Sequence, residues 1–175
     1  DWRTYTQDLS NPLIPPKSDG QIVVSSVNIE ENGQRQPVNY VLPPGISRMF
    51  DSSQPQLLQQ NEQALSMKIT DLSPADARAV YKSTAYDLRR YKRLQMFAHA
   101  EAPIDESKTL SNGDFSVFIR LGSDYKNNYY EYEVPLDLTP HSTILYNTNN
   151  SADQEKVWPL NNTLNFKLET LTRSE

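Results

Sequence analysis

Asp114–Leu136 reads DFSVFIRLGSDYKNNYYEYEVPL, and its period decides the fold class. Phe115, Val117, Ile119 and Leu121 alternate with Ser116, Phe118 and Arg120, and after Gly122 to Asn128 the alternation resumes at Tyr130, Tyr132, Val134 and Leu136. A period of two on both sides of a Gly- and Asn-bearing turn predicts a β-hairpin with one apolar face. Placing Gly122 opposite Tyr129 sets Leu121 against Tyr130, Ile119 against Tyr132 and Val117 against Val134. It also makes Arg120 and Glu131 a structural pair on the outer face, and all these pairs suit cross-strand contact. A slip by one residue would turn the whole apolar set towards water. The hairpin is therefore expected to organise the chain and to need a covering layer.

Outward from the hairpin the same alternation recurs. Leu94, Met96, Ala98 and Ala100 share one side of Arg93–Glu101, and Leu164, Phe166 and Leu168 share one side of Thr163–Thr170. Leu65, Met67 and Ile69 do so within Gln63–Leu72, Gln21–Glu30 is rich in β-branched residues, and Ala79–Tyr81 makes a short strand. Pro37–Leu42 is expected to return as partner to Gln21–Glu30, until Pro43-Pro44-Gly45 stops the pairing for want of an N–H. Ser73-Pro74-Ala75-Asp76 has the form of a helix start and predicts one turn. Asp1–Gly20 reads as an extended arm, Asp51–Asn61 as a surface connection, and Ala102–Gly113 and Thr139–Lys156 as long polar loops without core positions. The expected fold is all-β, an antiparallel β-sandwich of jelly-roll type with long loops and about one helical turn. Residues 1–44 form an N-terminal arm with a candidate strand pair, and residues 45–175 form the jelly-roll-like domain.

Composition narrows the function classes. The 175 residues carry a net charge of −5 and no cysteine, which excludes disulfides and thiolate metal sites and argues against nucleic acid as a partner. A mean hydropathy of −0.70 fits a soluble chain with half-exposed strands. No run approaches the ~20 apolar residues of a membrane-spanning helix. Asp1-Trp2-Arg3-Thr4 is not a signal peptide, and the missing initiator Met suggests a piece cut from a longer chain.

Candidate chemistry is sparse. Glu131 and Glu133 stand two apart on one strand, so their carboxylates would sit roughly 6 to 7 Å apart, near the spacing of glycosidase acid pairs. An exposed face that needs charge for solubility accounts for them better. Asp19, Asp114 and Asp124 suit a calcium site, but Asp favours such turn positions for its own backbone bonds. His99 and His141 have no second nitrogen or sulfur ligand nearby in sequence, and neither a nucleophile elbow nor a phosphate-binding glycine loop is present. No catalytic, cofactor-binding or metal-binding residue is therefore assigned. The tyrosines offer a glycan platform: Tyr130 and Tyr132 fall on the apolar face, which leaves Tyr125, Tyr129 and Trp158 as candidate ligand or partner contacts.

Several motifs carry a resemblance. They are Tyr40-Val-Leu-Pro-Pro-Gly-Ile-Ser47, Ser53-Gln-Pro-Gln-Leu57, Asn61-Glu-Gln-Ala-Leu65, Asp76-Ala-Arg-Ala-Val-Tyr-Lys82, Asp87-Leu-Arg-Arg-Tyr-Lys-Arg-Leu-Gln-Met-Phe97, His99-Ala-Glu101 and Phe118–Glu133. Together they resemble the SprA/Sov proteins of Bacteroidetes, the outer-membrane translocon of the type IX secretion system, which gliding motility also requires. The resemblance implies a non-enzymatic fragment of a very large barrel protein, with PorV, Plug and secreted cargo as partners. Lys68, Arg120, Glu131 and Glu133 on outer strand faces argue against lipid-facing barrel strands. A soluble domain inserted between barrel strands is expected instead, at the cell surface on the extracellular side, covering or shaping the pore mouth or docking partners. A cell-surface carbohydrate-binding jelly-roll module is the alternative.

Overall fold

The computed structural model describes residues 2–5, 19–50, 59–104, 109–124 and 126–172. Most of the expected arm, most of the Asp51–Asn61 connection, residues 105–108 of the Ala102–Gly113 loop, and Tyr125 lie outside the described residues. In chain order the elements are β1 (Arg3–Tyr5), β2 (Gln21–Asn28), α1 (Ile29–Asn32), β3 (Gln63–Thr70), β4 (Ala79–Tyr81), a 3₁₀ turn (Leu88–Arg90) and β5 (Arg93–Met96). They continue with β6 (Ser116–Gly122), β7 (Tyr129–Pro135), α2 (Ser151–Val157), a second 3₁₀ turn (Leu160–Asn162), β8 (Leu164–Lys167) and α3 (Leu168–Thr172). The strands pair two by two, β1 with β4, β2 with β3, β5 with β8 and β6 with β7. The fold is all-β in this sense, many short strands in small antiparallel sheets with little helix.

The hairpin forms as its period demands. The Leu136 N–H donates to the Phe115 carbonyl at 2.8 Å and the Ser123 N–H to the Asn128 carbonyl at 3.1 Å. Both bonds belong to the register in which Gly122 opposes Tyr129. A Cβ on Gly122 would stand 2.6 Å from the Tyr129 Cα, so the close approach there demands glycine. The apolar face is only half-covered, however. Val117, Ile119 and Leu121 are half-buried, and so are Phe118 and Arg120 on the other face. The hairpin is not the organising core.

The chain divides into two compact units, one of Asp1–Ser26, Leu65–Tyr91 and Arg120–Tyr130, the other of Val27–Ala64, Lys92–Ile119 and Glu131–Glu175. In the first, β1 and β4 pair antiparallel, Thr4 opposite Val80. Leu65, Met67 and Ile69, which share one face of β3, are 39%, 42% and 39% exposed. Ser73–Asp76 makes a turn instead of a helix. The Asp76 N–H donates to the Ser73 carbonyl at 3.1 Å, and Ala75 sits at φ 60°, a left-handed conformation that a right-handed helix cannot continue. A buried ion pair just after the turn holds this strained backbone in place. Arg78 donates from Nε to the Gly20 carbonyl at 2.7 Å and pairs with Asp76 at 3.0 Å, each side chain 4% exposed.

The core of the second unit lies in segments expected to be a strand partner of Gln21–Glu30 and a polar loop. Val38, Tyr40, Val41, Tyr146, Val157 and Trp158 form one buried cluster. Leu164 and Phe166 of β8 are buried as expected, opposite Met96 and Leu94 of β5. Val38–Val41, grouped with the arm on sequence, forms no strand with β2; β3 takes that place, and the Ile29 N–H donates to the Glu62 carbonyl at 3.1 Å where the two meet. Pro37, Pro43 and Pro44 bracket the segment and, having no N–H of their own, stop a ladder from extending past either end. Its backbone is satisfied by other means. The Tyr40 N–H reaches the Asn32 carbonyl at 2.9 Å, the Leu42 N–H the Thr148 hydroxyl at 2.9 Å, and the Trp158 indole donates to the Val41 carbonyl at 3.0 Å.

Two buried asparagines take the place of absent strands. The Asn39 amide donates to the Tyr146 carbonyl at 2.9 Å while its oxygen accepts the Tyr146 N–H at 2.8 Å. Asn162, fully buried, repeats the arrangement on Asp137 at 2.8 and 2.7 Å. A side-chain amide thus replaces one rung of a ladder. The polar stretch Thr139–Lys156 holds core positions after all, Thr139 and Tyr146, because Asn39 can draw a polar loop inside without orphaning its backbone.

Substituting Asn39 by Leu leaves two buried backbone groups of Tyr146 unpaired, and unpaired buried groups cost about 1–3 kcal/mol each. Asn39→Leu is therefore expected to destabilise by roughly 2–4 kcal/mol in urea unfolding, despite its added apolar area. Ile119→Ala, on the half-covered hairpin, is expected to cost less, about 1–2 kcal/mol. The reverse order would restore the hairpin as the organising element.

Candidate functional site

Trp158 is the hub of the second unit. It is 7% exposed, with the rings of His99, Tyr40 and Phe97 edge-on at centroid distances of 5.8, 6.0 and 6.4 Å. The helix that delivers it is locally encoded: the Asn150 side chain caps α2 by accepting the Ala152 N–H at 2.9 Å, and the Trp158 N–H closes the end on the Gln154 carbonyl at 2.7 Å. Trp158 is thus a core residue and presents no face to a ligand.

Beside it lies a charged cluster. Arg35 grips Glu101 with both guanidinium nitrogens at 2.6 and 2.7 Å, a bidentate pair joining residues far apart in sequence. His99 Nε2 stands 3.4 Å from the same carboxylate, and Nδ1 stands 2.8 Å from the Val157 carbonyl and 3.0 Å from the Thr139 hydroxyl. Since a carbonyl only accepts, Nδ1 is the donor to Val157. Thr139 in turn donates to the Lys156 carbonyl at 3.1 Å, and its N–H to the Ala100 carbonyl at 2.8 Å. Burial opposes ionisation of Glu101, but the hydrogen bonds from His99 and Arg35 and their charges outweigh it and hold the carboxyl at about 2. The cluster fastens the His99–Glu101 segment to Arg35, to the α2 terminus and to Thr139. Its polar atoms are occupied in doing so.

Tyr40 is the exception in this neighbourhood. Its hydroxyl is buried with no hydrogen-bond partner among the described residues, and burial, aided by the charge of Glu62, pushes it up to about 12. His141, the other histidine, lies apart and bonds through Nε2 to the Ala102 carbonyl at 2.9 Å. It helps to line a shallow recess of about 290 Å³ with Gln36, Pro37, Ile104, Ser142 and Thr143.

The remaining sequence candidates are scattered. Tyr129 is half-buried, and the Arg120 guanidinium lies 4.2 Å over its ring, so the cation occupies a face that a sugar would need. Tyr125 lies outside the described residues. Glu131 is exposed, and Glu133 is also exposed and accepts from the Ser116 hydroxyl. Asp124 spends its carboxylate on the N–H groups of Lys126 and Asn127 and on the Asn128 amide, at 2.8, 2.6 and 2.6 Å, and these bonds, led by that from Asn127, hold it at about 2. Asp114 accepts the Ser111 N–H at 2.7 Å. Among the described residues no group of three or more His, Cys, Asp or Glu could hold a metal ion, and no helix is long and apolar enough to cross a membrane. Arg35 and Glu101 are hard to find by sequence because each stands alone among neutral neighbours. The His99-Ala-Glu101 spacing was the available signal.

The family model SprA_N, described as motility related/secretion protein, matches residues 1–175. No curated protein matches the chain.

Two tests probe the cluster. A carboxyl held below its ordinary value of 4.5 adds stability that is complete above that pH and fades as pH falls towards about 2. Glu101→Gln should therefore abolish part of the acid-induced loss between pH 4.5 and 2, on the order of 2–3 kcal/mol, in urea unfolding over a pH series; an unchanged pH profile would dissolve the clamp. For Tyr40 the sign is opposite. The unfolded phenol ionises near 10 while the folded one resists up to about 12, so stability falls as pH rises through that window. Tyr40→Phe is expected to be neutral or stabilising by about 1 kcal/mol at neutral pH, and to soften the alkaline loss. Marked destabilisation would reveal a partner for the hydroxyl.

Proposed function

As a member of the SprA_N family of motility-related secretion proteins, the chain is, we propose, a non-enzymatic domain of an outer-membrane protein-export channel of the type IX kind. It sits on the extracellular side, where it covers or shapes the pore mouth or docks partners such as PorV, Plug or secreted cargo. The observation that carries this reading is the family match over the whole chain. The geometry supports it in a second way. The charged cluster around Trp158 spends its hydrogen bonds on holding loops, as suits a part whose task is to keep a shape.

The jelly-roll arrangement belongs to the same proposal. Among the described residues the strands form four two-stranded sheets, and further strands pairing at their edges would complete them into two layers. A sugar-binding reading has no comparable support, with Trp158 in the core and Tyr129 under Arg120.

The test is an in-frame replacement of residues 2–172 by a short Gly/Ser bridge in the full-length protein. Outer-membrane abundance should be kept, while secretion of type IX cargo falls or sensitivity to large antibiotics rises. Normal secretion with no added permeability would reduce the domain to a spacer.

A further inference from the structure

The segment Lys82–Tyr91, KSTAYDLRRY, belongs neither to the buried core nor to the charged cluster around Trp158. All ten residues are exposed, and they include three large apolar side chains, Tyr86 at 71%, Tyr91 at 56% and Leu88 at 38%. Three cations, Lys82, Arg89 and Arg90, face one acid, Asp87. That acid is committed locally: it caps the 3₁₀ turn by accepting the Arg89 N–H at 3.2 Å and takes the Arg89 guanidinium at 2.9 Å. The turn closes with the Arg90 N–H on the Asp87 carbonyl and the Tyr91 N–H on the Leu88 carbonyl. With three residues per revolution, Leu88 and Tyr91 come to one side.

Charge is distributed unevenly along the chain. The residues of the first unit, to which this segment belongs, carry nine Lys and Arg against seven Asp and Glu; those of the second carry eight against fifteen. The acidic whole thus contains one basic unit, and two of its most exposed aromatics, Tyr86 and Tyr91, stand in the basic segment. Two tyrosines and a leucine interleaved with Lys and Arg are the composition of the membrane–water boundary, where a phenol sits at headgroup depth and cations meet phosphate. An acidic protein would also take the cations. Protein interfaces, however, require a shape-matched counterpart, whereas a deformable lipid surface can meet ten consecutive exposed residues without one.

We infer that Lys82–Tyr91 is an interfacial anchor that seats this chain on an anionic lipid surface. The inference stands independently of the export-channel reading, because binding to vesicles does not need the rest of that machine. Each basic residue near an anionic membrane contributes about fivefold in partitioning, and the contribution shrinks as salt shortens the Debye length.

The test is co-sedimentation of the full 175-residue chain with vesicles of phosphatidylcholine and phosphatidylglycerol, 7:3, and of phosphatidylcholine alone. Binding to the anionic vesicles is expected, weakened by 0.5 M salt, and about twentyfold weaker for Lys82→Ser with Arg90→Ser. Tyr86→Ser with Tyr91→Ser should remove the salt-resistant remainder. Circular dichroism checks that these exposed changes leave the fold intact. Because the chain has no cysteine, an environment-sensitive dye on Tyr86→Cys should shift to the blue on anionic vesicles while the same dye on Glu155→Cys does not. Absence of binding, equal binding to neutral vesicles, undiminished binding of the double variants, or a dye at position 86 that stays in water would each overturn the anchor. Tighter direct binding to a poly-glutamate peptide than to anionic vesicles at equal charge would do the same in favour of an acidic polypeptide.

Discussion

A buried backbone must find hydrogen-bond partners, and the second unit meets that demand at its centre without a sheet. Val38–Val41 is too apolar to lie outside and too closely bracketed by prolines to join a ladder. Asn39 resolves the conflict by offering its side-chain amide to both backbone groups of Tyr146, as a neighbouring strand residue would. Asn162 does the same for Asp137. Once these amides are in place, Val38, Val41 and Tyr146 can bury their apolar surface, and Trp158 can lay its indole N–H on the Val41 carbonyl. The cluster is thus a loop-built core, held by side-chain amides as much as by apolar contact.

Such a core is directional. Apolar packing alone tolerates repacking, whereas a two-point amide bond specifies one arrangement. The Arg35–Glu101–His99 cluster adds to this specificity from the side. A partly buried ion pair stabilises little beyond the apolar residues that could replace it, because desolvation offsets the attraction. Its effect lies in what it joins: Arg35 after α1, the segment ending at Glu101, and the Val157 carbonyl at the end of α2. In the first unit the buried pair of Arg78 and Asp76 has a similar part. It fixes a strained turn at Ala75 and ties Arg78 to the Gly20 carbonyl at the entry to β2.

Legibility followed period. The β6–β7 hairpin, β5 and β8 were readable because alternation survives in Val117–Leu121, Tyr130–Val134, Arg93–Met96 and Leu164–Lys167, and burial of Leu164 and Phe166 agrees with it. Alternation says which residues share a face but not whether the face is covered, and Leu65, Met67 and Ile69 share a face that stays exposed. Pro37–Leu42 reads as a strand but pairs with none, because its partners are Asn32, Thr148, Trp158 and, through Asn39, Tyr146, which no short-range pattern announces. The helix α2 was hidden for a related reason. An Asn- and Ser-rich stretch reads as loop, although Asn150 there is a cap. Of the candidate site residues, only the His99-Ala-Glu101 spacing pointed towards the cluster, since Arg35 is brought to it by the fold and not by sequence proximity.

The same contrast bears on function. A catalytic constellation keeps at least one group poised and under-bonded, with a pKa matched to its task. Here Glu101 is held far below that range by partners that occupy both of its oxygens, and Asp124 by its own turn. Among the described residues, the polar groups around Trp158 are consumed by holding shape, the Tyr40 hydroxyl excepted, whereas large apolar side chains stay exposed in both units, among them Met67 and Tyr86 in the first and Ile144 and Leu160 in the second. Apolar area left in water on a chain of mean hydropathy −0.70 calls for an external counterpart. The second unit is specified by its side-chain amide bonds, and the first carries the exposed basic segment. In a member of a family of motility-related and secretion proteins, the polar side chains of the loop-built core are spent on the fold itself, and the exposed apolar and cationic side chains are what the surface offers.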